Sequence, residues 1–109
     1  MKTLILLILL ILMSSCNDSQ TNRYKSKKNA IKDGAIQRGW IPEIIPNSSF
    51  NIVETHDLDS NDVDGSLEYK EIDEERLIKV LSKAMRWKTF KFTLDKKRNL
   101  LHFKIKSNK

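Results

Sequence analysis

An apolar run near the start of the chain limits what the remaining residues can fold into. Residues 4–12 are all Leu or Ile, and the positively charged Lys2 precedes them. The run is shorter than the roughly 20 apolar residues of a membrane-spanning helix. A positive start, a short apolar core and small residues at the end are typical of a secretory signal peptide. We therefore predict that residues 1–15 are cleaved and take no part in the fold.

The only cysteine of the chain, Cys16, stands directly after this segment. The sequence LMSSC at residues 12–16 resembles the lipobox of bacterial lipoproteins, in which the cysteine is acylated and becomes the new N-terminus. The resemblance implies a lipid anchor at Cys16 and an extracytoplasmic location in the bacterial cell envelope, facing the periplasm or the cell surface. The alternative is a secreted protein with an unpaired thiol. With Cys16 lipidated, the mature chain would have no disulfide and no cysteine-based metal or redox chemistry.

A polar and basic stretch, NDSQTNRYKSKKN, follows at residues 17–29 and shows no apolar periodicity. Such a composition favours a flexible linker over a packed element. We therefore predict that residues 16–29 form the lipidated cysteine with its tether, and that residues 30–106 form a single domain. A domain of roughly 80 residues buries little more than about 60% of the surface of its unfolded chain, so its stability should be modest.

Apolar periodicity predicts the elements of that domain. A first helix begins at Ala30 and ends at Gly39, the left-handed residue that terminates many helices. The second and most regular helix has Asp73 as its N-cap, with Ile72 and Leu77 at the positions of a hydrophobic staple. Alternating apolar residues predict four strands, at residues 50–55, 66–71, 90–94 and 101–105.

These elements follow one another in the order α-β-β-α-β-β. The turn at residues 95–99 joins the last two strands as a hairpin. We expect an α+β fold, with a four-stranded antiparallel sheet and both helices packed on its apolar face.

The charges of the chain divide sharply along its length, although the total is only +6. Residues 54–75 hold ten acids and one base, whereas residues 76–109 hold twelve bases and one acid. On the last hairpin the outward positions would be basic or polar: Thr89, Lys91, Thr93, His102, Lys104 and Lys106, with Lys96, Lys97 and Arg98 at the tip. Such a face would suit lipid phosphates or an acidic protein, or its lysines would only keep the sheet from pairing with other chains. We do not expect nucleic acid, because the face has no stacking aromatic residues.

The sequence HDLDSNDVDG at residues 56–65 concentrates possible ligands. Counted from Asp57, the first three ligand positions of an EF-hand hold Asp57, Asp59 and Asn61, yet Asp62 stands where that loop requires glycine. Zinc and catalytic motifs such as HExxH and GxSxG are absent from the sequence. We therefore predict no metal, no cofactor and no catalytic residue, and expect the Asp and Asn side chains to bond turn amides. A calcium-stabilised module stays as an alternative.

The stretch at residues 30–61 resembles a family of small bacterial lipoproteins described as YbbD head domain-like. The family pattern reads D-G-x-I-x-R-G-W-I-P, then a second proline, then H-D-x-D-T-N. The matching positions here are Asp33, Gly34, Ile36, Arg38, Gly39, Trp40, Ile41, Pro42, Pro46, His56, Asp57, Asp59 and Asn61, with Ser60 replacing the threonine. The resemblance implies a shared domain and an envelope location, but no known activity.

Polar residues of this pattern form the candidate site. They are Asp33, Arg38, His56, Asp57, Asp59 and Asn61, which would either cluster as a binding site or form a buried polar network that fixes a loop. We expect a non-enzymatic interaction module, whose partner is an envelope protein or an anionic envelope component. The alternative is a small hydrolase or sugar-binding domain that uses His56, Asp57 and Asp59.

Overall fold

The computed structural model describes residues 19–83 and 90–106, and it places five strands and two α-helices in them. In chain order the elements are β1 (Ser19–Tyr24), α1 (Lys27–Lys32), β2 (Phe50–Asp57), β3 (Val63–Glu68), a short 3-10 helix (Glu71–Asp73), α2 (Glu74–Lys83), β4 (Lys91–Asp95) and β5 (Leu100–Ile105). The predicted signal peptide, Cys16 and Thr89 lie outside the described residues. Within these residues no helix is long and apolar enough to span a membrane.

The strands form one antiparallel sheet in the order β1-β2-β3-β5-β4. The prediction of a four-stranded sheet and of the order α-β-β-α-β-β is therefore wrong. The additional strand, β1, lies within the segment predicted as a tether, and it pairs with β2 through six successive residue pairs. Its sequence, SQTNRY, lacks an apolar alternation because it is an edge strand with only Asn22 and Tyr24 half-buried. Pairing with β2 therefore overrides the local composition of β1.

One face of the sheet carries the core. Alternate residues on the inner strands are buried, namely Ile52, Glu54 and His56 on β2, Val63, Gly65 and Leu67 on β3, and Leu101 and Phe103 on β5. Ala30 of α1 and Leu77 of α2 belong to the same buried cluster, as do Ile41 and Ile45 of the connecting segment. Both helices therefore contribute to a single core. The predicted strand at residues 66–71 is shifted, because β3 ends at Glu68, although Leu67 and Tyr69 are buried as expected.

Gly65 lets β3 and β5 approach closely within this core. A Cβ atom at this position would overlap the Phe103 ring and would lie 2.7 Å from the Val53 carbonyl oxygen. Real Cβ atoms do not come this close to other heavy atoms. The aromatic ring of Phe103 therefore occupies the space that a side chain at residue 65 would need.

Helix α1 is shorter than predicted, because two glycines terminate the chain's helical turns in succession. Gly34 has φ +80°, its N–H donates to the Ile31 carbonyl, and the Ala35 N–H donates to the Ala30 carbonyl. The same arrangement recurs at Gly39, which has φ +83°, with Trp40 donating to the Ala35 carbonyl. Both are Schellman motifs. The prediction of a helix from Ala30 to Gly39 is wrong, because α1 runs from Lys27 to Lys32, although Gly39 does adopt the left-handed conformation expected of it.

The start of α2 also differs from the prediction. A 3-10 helix precedes α2, and Ile72 is 87% exposed, so the expected hydrophobic staple with Leu77 is wrong. Tyr69 fixes this turn instead, since its hydroxyl donates to a Glu74 carboxylate oxygen at 2.9 Å. Burial, together with this hydrogen bond, raises the pKa of Tyr69 to about 12.

Candidate functional site

The acidic stretch at residues 57–62 is the turn between β2 and β3. One carboxylate oxygen of Asp57 accepts hydrogen bonds from the backbone N–H groups of Asp59 (2.8 Å) and Ser60 (3.1 Å). The Asp57 N–H donates to the Asp62 carbonyl, and Asn61, with φ +63°, completes the reversal. The expectation that an Asp side chain bonds turn amides is thus confirmed, because Asp57 stabilises the turn as an Asx motif.

The turn does not gather a set of metal ligands. Among the residues that the structure describes, no group of three or more His, Cys, Asp or Glu side chains is arranged to hold a metal ion. Asp59 and Asn61 are exposed on the turn, whereas His56 is buried beneath it. The adjacent residues His56 and Asp57 therefore lie on opposite faces of β2, and they do not form a joint pocket with Asp59.

His56 belongs to a buried polar pair. Its Nδ1 lies 2.9 Å and 3.1 Å from the two carboxylate oxygens of Glu54, two residues earlier on the same face of β2. The side chains of Glu54 and His56 are 0% and 3% exposed. Asn22 of β1 donates to Glu54 Oε1 at 2.5 Å, so the carboxylate also joins β1 to β2. A buried carboxylate is costly unless it is bonded in this way.

An aromatic ring covers this pair. The rings of Trp40 and His56 are stacked, with centroids 3.8 Å apart and planes inclined by 12°. The Arg38 guanidinium lies 5.1 Å from the Trp40 ring centroid on the protein surface. Arg38, Trp40 and His56 thus form one stack that runs from the exterior to the sheet. The RGW segment (residues 38–40) packs on β2 through this stack, and Gly39 sets the direction in which Trp40 leaves the turn.

Asp33 lies beside this stack rather than against the acidic turn. Its carboxylate accepts a hydrogen bond from the Tyr24 hydroxyl at 2.6 Å, and its backbone carbonyl accepts one from Arg38 at 3.1 Å. Burial and the hydrogen bond to Asp33 raise the pKa of Tyr24 well above its usual range, while the Arg38 charge acts in the opposite direction. The predicted cluster therefore separates into two groups. Asp33 contacts Tyr24 and Arg38, and Trp40 links Arg38 to His56. The other group, Asp57, Asp59 and Asn61, belongs to the turn.

Burial restricts the chemistry available to the Glu54–His56 pair. A carboxylate that fixes the Nδ1 of a histidine is an arrangement found in catalytic triads, where Nε2 acts as the base. Here Nε2 of His56 is buried and has no hydrogen-bond partner among the described residues. Four open depressions on the described part of the chain are lined by neither Glu54 nor His56, although Asn22 and Asp33 line one of them. The arrangement therefore suits a polar network that fixes the RGW segment on the sheet.

Glu54 and Asn22 are the two members of this network that the sequence analysis did not single out. Ile52, Glu54 and His56 are alternate residues of β2 and therefore point to the same face, so the strand pattern could have predicted that Glu54 is buried. Asn22 had no such signal, because its role depends on the register of β1 against β2.

The outward face of the β4–β5 hairpin is basic, as predicted. Lys91 lies opposite Lys104 in the register, and Thr93 lies opposite His102, with all four side chains exposed. Lys96, Lys97 and Arg98 are exposed at the tip. Asp95 is the only acid between residues 90 and 106, and its carboxylate accepts from the Arg98 N–H at 3.3 Å. The hairpin therefore carries exposed cations at its open end and at its tip, with Thr93 and His102 between them.

Comparison with known proteins identifies one family. Residues 18–68 match the family model described as the YbbD head domain. No curated protein matches the chain, and no solved structure matches it. The matched range contains β1, α1, the RGW segment, β2 and β3, and hence the whole buried network. The resemblance to the YbbD head domain is therefore confirmed: over residues 18–68, this chain matches that family.

Proposed function

We propose that this chain is a lipid-anchored, non-enzymatic binding module of a bacterial cell envelope, and that its β4–β5 hairpin contacts an anionic partner. The observation that supports the proposal is the set of exposed cations at the open end and at the tip of that hairpin. Exposed charges of one sign attract and orient a partner of the opposite sign. A phosphate-bearing envelope component or an acidic protein surface has the required chemistry.

The pairing of Lys91 with Lys104 supports a binding role. Like charges placed directly across two antiparallel strands destabilise the pair. Asp64 faces Lys104 from the other side, on β3, whereas β4 is an edge strand and gives Lys91 no acidic neighbour in the sheet register. An anionic partner would relieve this repulsion.

The proposed anchor would hold the module close to the membrane. Only Asn17 and Asp18 separate Cys16 from Ser19, where β1 begins, and the three Cα–Cα steps between them span at most about 11 Å. Ser19 pairs with Asp57, so the turn between β2 and β3 lies at the same end of the sheet. Under the proposal, the module would rest near the headgroups instead of hanging from a long linker.

The buried network gives the hydrolase alternative little support. That alternative requires His56, Asp57 and Asp59 to converge on a pocket. His56 instead faces the core beneath Trp40, and Asp57 is occupied by turn amides. We therefore propose a structural role for these residues.

Metabolic labelling with a palmitate analogue tests the anchor. The wild-type chain should carry the label and sediment with membranes, while Cys16→Ser should lose both properties. A Cys16→Ser chain that keeps the label and stays in the membrane fraction would refute the anchor.

Crosslinking in intact cells followed by affinity capture tests the hairpin. The wild-type chain should recover an envelope component that the double variant Lys96→Glu/Lys97→Glu does not. The matched control is Lys79→Glu on α2, an exposed lysine away from the hairpin, which should recover the same component as the wild type. Equal recovery by all three chains would contradict the proposed role of the hairpin.

A further inference from the structure

An isoleucine on the short 3-10 helix is exposed to solvent. Ile72 is 87% exposed, more than any other large hydrophobic residue that the structure describes. Its neighbours Glu71 and Asp73 are acids. The 3-10 helix therefore presents one apolar side chain between two carboxylates. A single exposed aliphatic residue is common on protein surfaces, so the surface beside Ile72 decides whether it suits a contact.

An apolar groove lies next to this 3-10 helix, between the connecting segment and α2. Ile44 and Pro46 of the connecting segment and Leu77 and Val80 of α2 line this α2 groove, whose volume is about 220 Å³. An apolar cavity of about 150 Å³ holds a benzene-sized ligand, so the α2 groove has room for one branched aliphatic side chain. Asp73 also lines the groove. The exposed isoleucine and the groove are therefore adjacent features of one surface.

Two cations line the α2 groove. They are Lys27 and Arg76, and neither forms an ion pair with another described residue. The Lys27 ammonium donates to the carbonyl oxygens of Glu43 (3.0 Å) and Ile45 (2.9 Å), which leaves one of its three donors unused. Asp73 is the one acid of the lining. The α2 groove therefore suits an apolar group that negative charge accompanies.

We propose that the α2 groove binds Ile72 of a second copy of this chain, so that two copies associate about a twofold axis. Because the isoleucine and the groove are adjacent, one axis places each Ile72 in the groove of the other copy. Glu71 and Asp73 of each copy then approach Lys27 and Arg76 of the other. Each of the two identical contacts brings two acids to two cations, so the surface is complementary to itself.

A lipid surface is a less suitable partner for Ile72. Ser19, next to the proposed anchor, pairs with Asp57 at the end of the sheet where β3 begins. β3 runs from there for six residues, about 17 Å, and ends at Glu68, just before the 3-10 helix. Ile72 therefore lies at the end of the sheet remote from the proposed anchor. The acids beside it would also be repelled by anionic headgroups.

Sedimentation equilibrium of the full-length chain in density-matched detergent micelles measures the association. We expect a reversible and weak monomer–dimer equilibrium, because the contact is small. Ile72→Asp should weaken it by about tenfold or more. The matched control is Ile31→Asp on α1, which changes an exposed isoleucine outside the groove and should leave the dissociation constant within about twofold of wild type. Both substituted positions are exposed, and urea unfolding checks that each variant keeps its fold.

Reversed charges test the pairing of acids with cations. Glu71→Arg and Arg76→Glu should each weaken dimerisation by about fivefold or more, because each places like charges in both contacts. The double variant Glu71→Arg/Arg76→Glu restores opposite charges and should return the dissociation constant to within about threefold of wild type. The hairpin variant Lys96→Glu/Lys97→Glu should dimerise like the wild type. Failure of the dimer and failure of the proposed hairpin function therefore give different results.

Crosslinking of two different chains locates the contact. A mixture of Ile72→Cys and Val80→Cys chains, treated with a short bismaleimide, should give a crosslinked pair. The controls replace the Val80→Cys chain with Lys97→Cys, at the hairpin tip, or with the wild type, and neither should exceed the background from Cys16.

A chain that stays monomeric up to about 1 mM would overturn the proposal. So would a dimer that Ile72→Asp leaves unchanged, a double charge reversal that restores nothing, or equal crosslinking of Ile72→Cys to positions 80 and 97.

Discussion

Specific hydrogen bonds to neighbouring residues make it possible to bury polar side chains in this domain, and the Glu54–His56 pair is the clearest case. The carboxylate satisfies both a histidine nitrogen and the Asn22 amide while fully buried. Removing such an acceptor leaves two buried donors unpaired, which costs more than the bonds themselves contribute. The pair therefore stabilises the packing of both the RGW segment and β1 on β2.

Glu54→Ala should lower the free energy of unfolding by about 2–4 kcal/mol, through the lost bonds and the cavity left behind. The matched control is Glu75→Ala on the exposed surface of α2, which should change it by less than about 0.5 kcal/mol. Urea unfolding followed by tryptophan fluorescence measures both. Equal effects of the two substitutions would show that the buried pair contributes nothing specific.

Tyr69 should make the domain sensitive to alkali. Its pKa is raised from 10.0 to about 12 in the folded state, first by burial and then by the bond to Glu74. The stabilisation associated with this shift is therefore complete below about pH 10 and is lost as pH rises towards 12. Tyr69→Phe should reduce the decline of the urea midpoint between pH 9 and pH 12 relative to wild type. Parallel pH profiles would contradict this assignment.

At the scale of elements, two glycines have different physical roles. Gly65 is required by space, because Phe103 occupies the position of a side chain, whereas Gly39 has φ +83° and open space where a Cβ would stand. The first restriction is steric packing between strands, and the second is backbone conformation alone.

Gly65→Ala should therefore cost about 1–3 kcal/mol and should be partly rescued by Phe103→Leu in the double variant. Gly39→Ala should cost about 1 kcal/mol, from its left-handed backbone, and Phe103→Leu should not rescue it. A thermodynamic cycle over these variants measures the coupling. Absence of coupling between residues 65 and 103 would contradict the close approach of β3 and β5.

The elements show which features the sequence could predict. The hairpin β4–β5 was predictable, because Phe92, Leu94, Leu101 and Phe103 alternate cleanly with polar residues. The edge strand β1 was not, because a polar strand that is bonded along one side has no apolar period to reveal it. The turn chemistry of Asp57 followed from composition, whereas the stack of Arg38, Trp40 and His56 needs a fold that brings residues 38 and 56 together. Long-range register is the information that local pattern lacks.

At the scale of the whole molecule, the acidic and basic parts of the sequence become neighbouring regions of one sheet. β3, with Asp64 and Glu68, pairs with β5, and the basic surface continues outward to the edge strand β4. The face opposite the core is therefore graded from mixed charge at its centre to basic at the β4 edge. An anionic partner would approach from that edge, because the attraction is greatest there.

Vesicle binding of the unanchored chain, lacking its leader and carrying Cys16→Ser, is the decisive measurement for an anion-binding hairpin. Sedimentation with vesicles rich in phosphatidylglycerol should exceed that with phosphatidylcholine, and it should fall as salt increases. Lys91→Glu should weaken this binding while raising the free energy of unfolding by a few tenths of a kcal/mol, because it relieves the repulsion with Lys104. If the Lys91→Glu chain sediments with the anionic vesicles as well as the wild-type sequence does, the hairpin is not the anion-binding surface and the proposed function is contradicted.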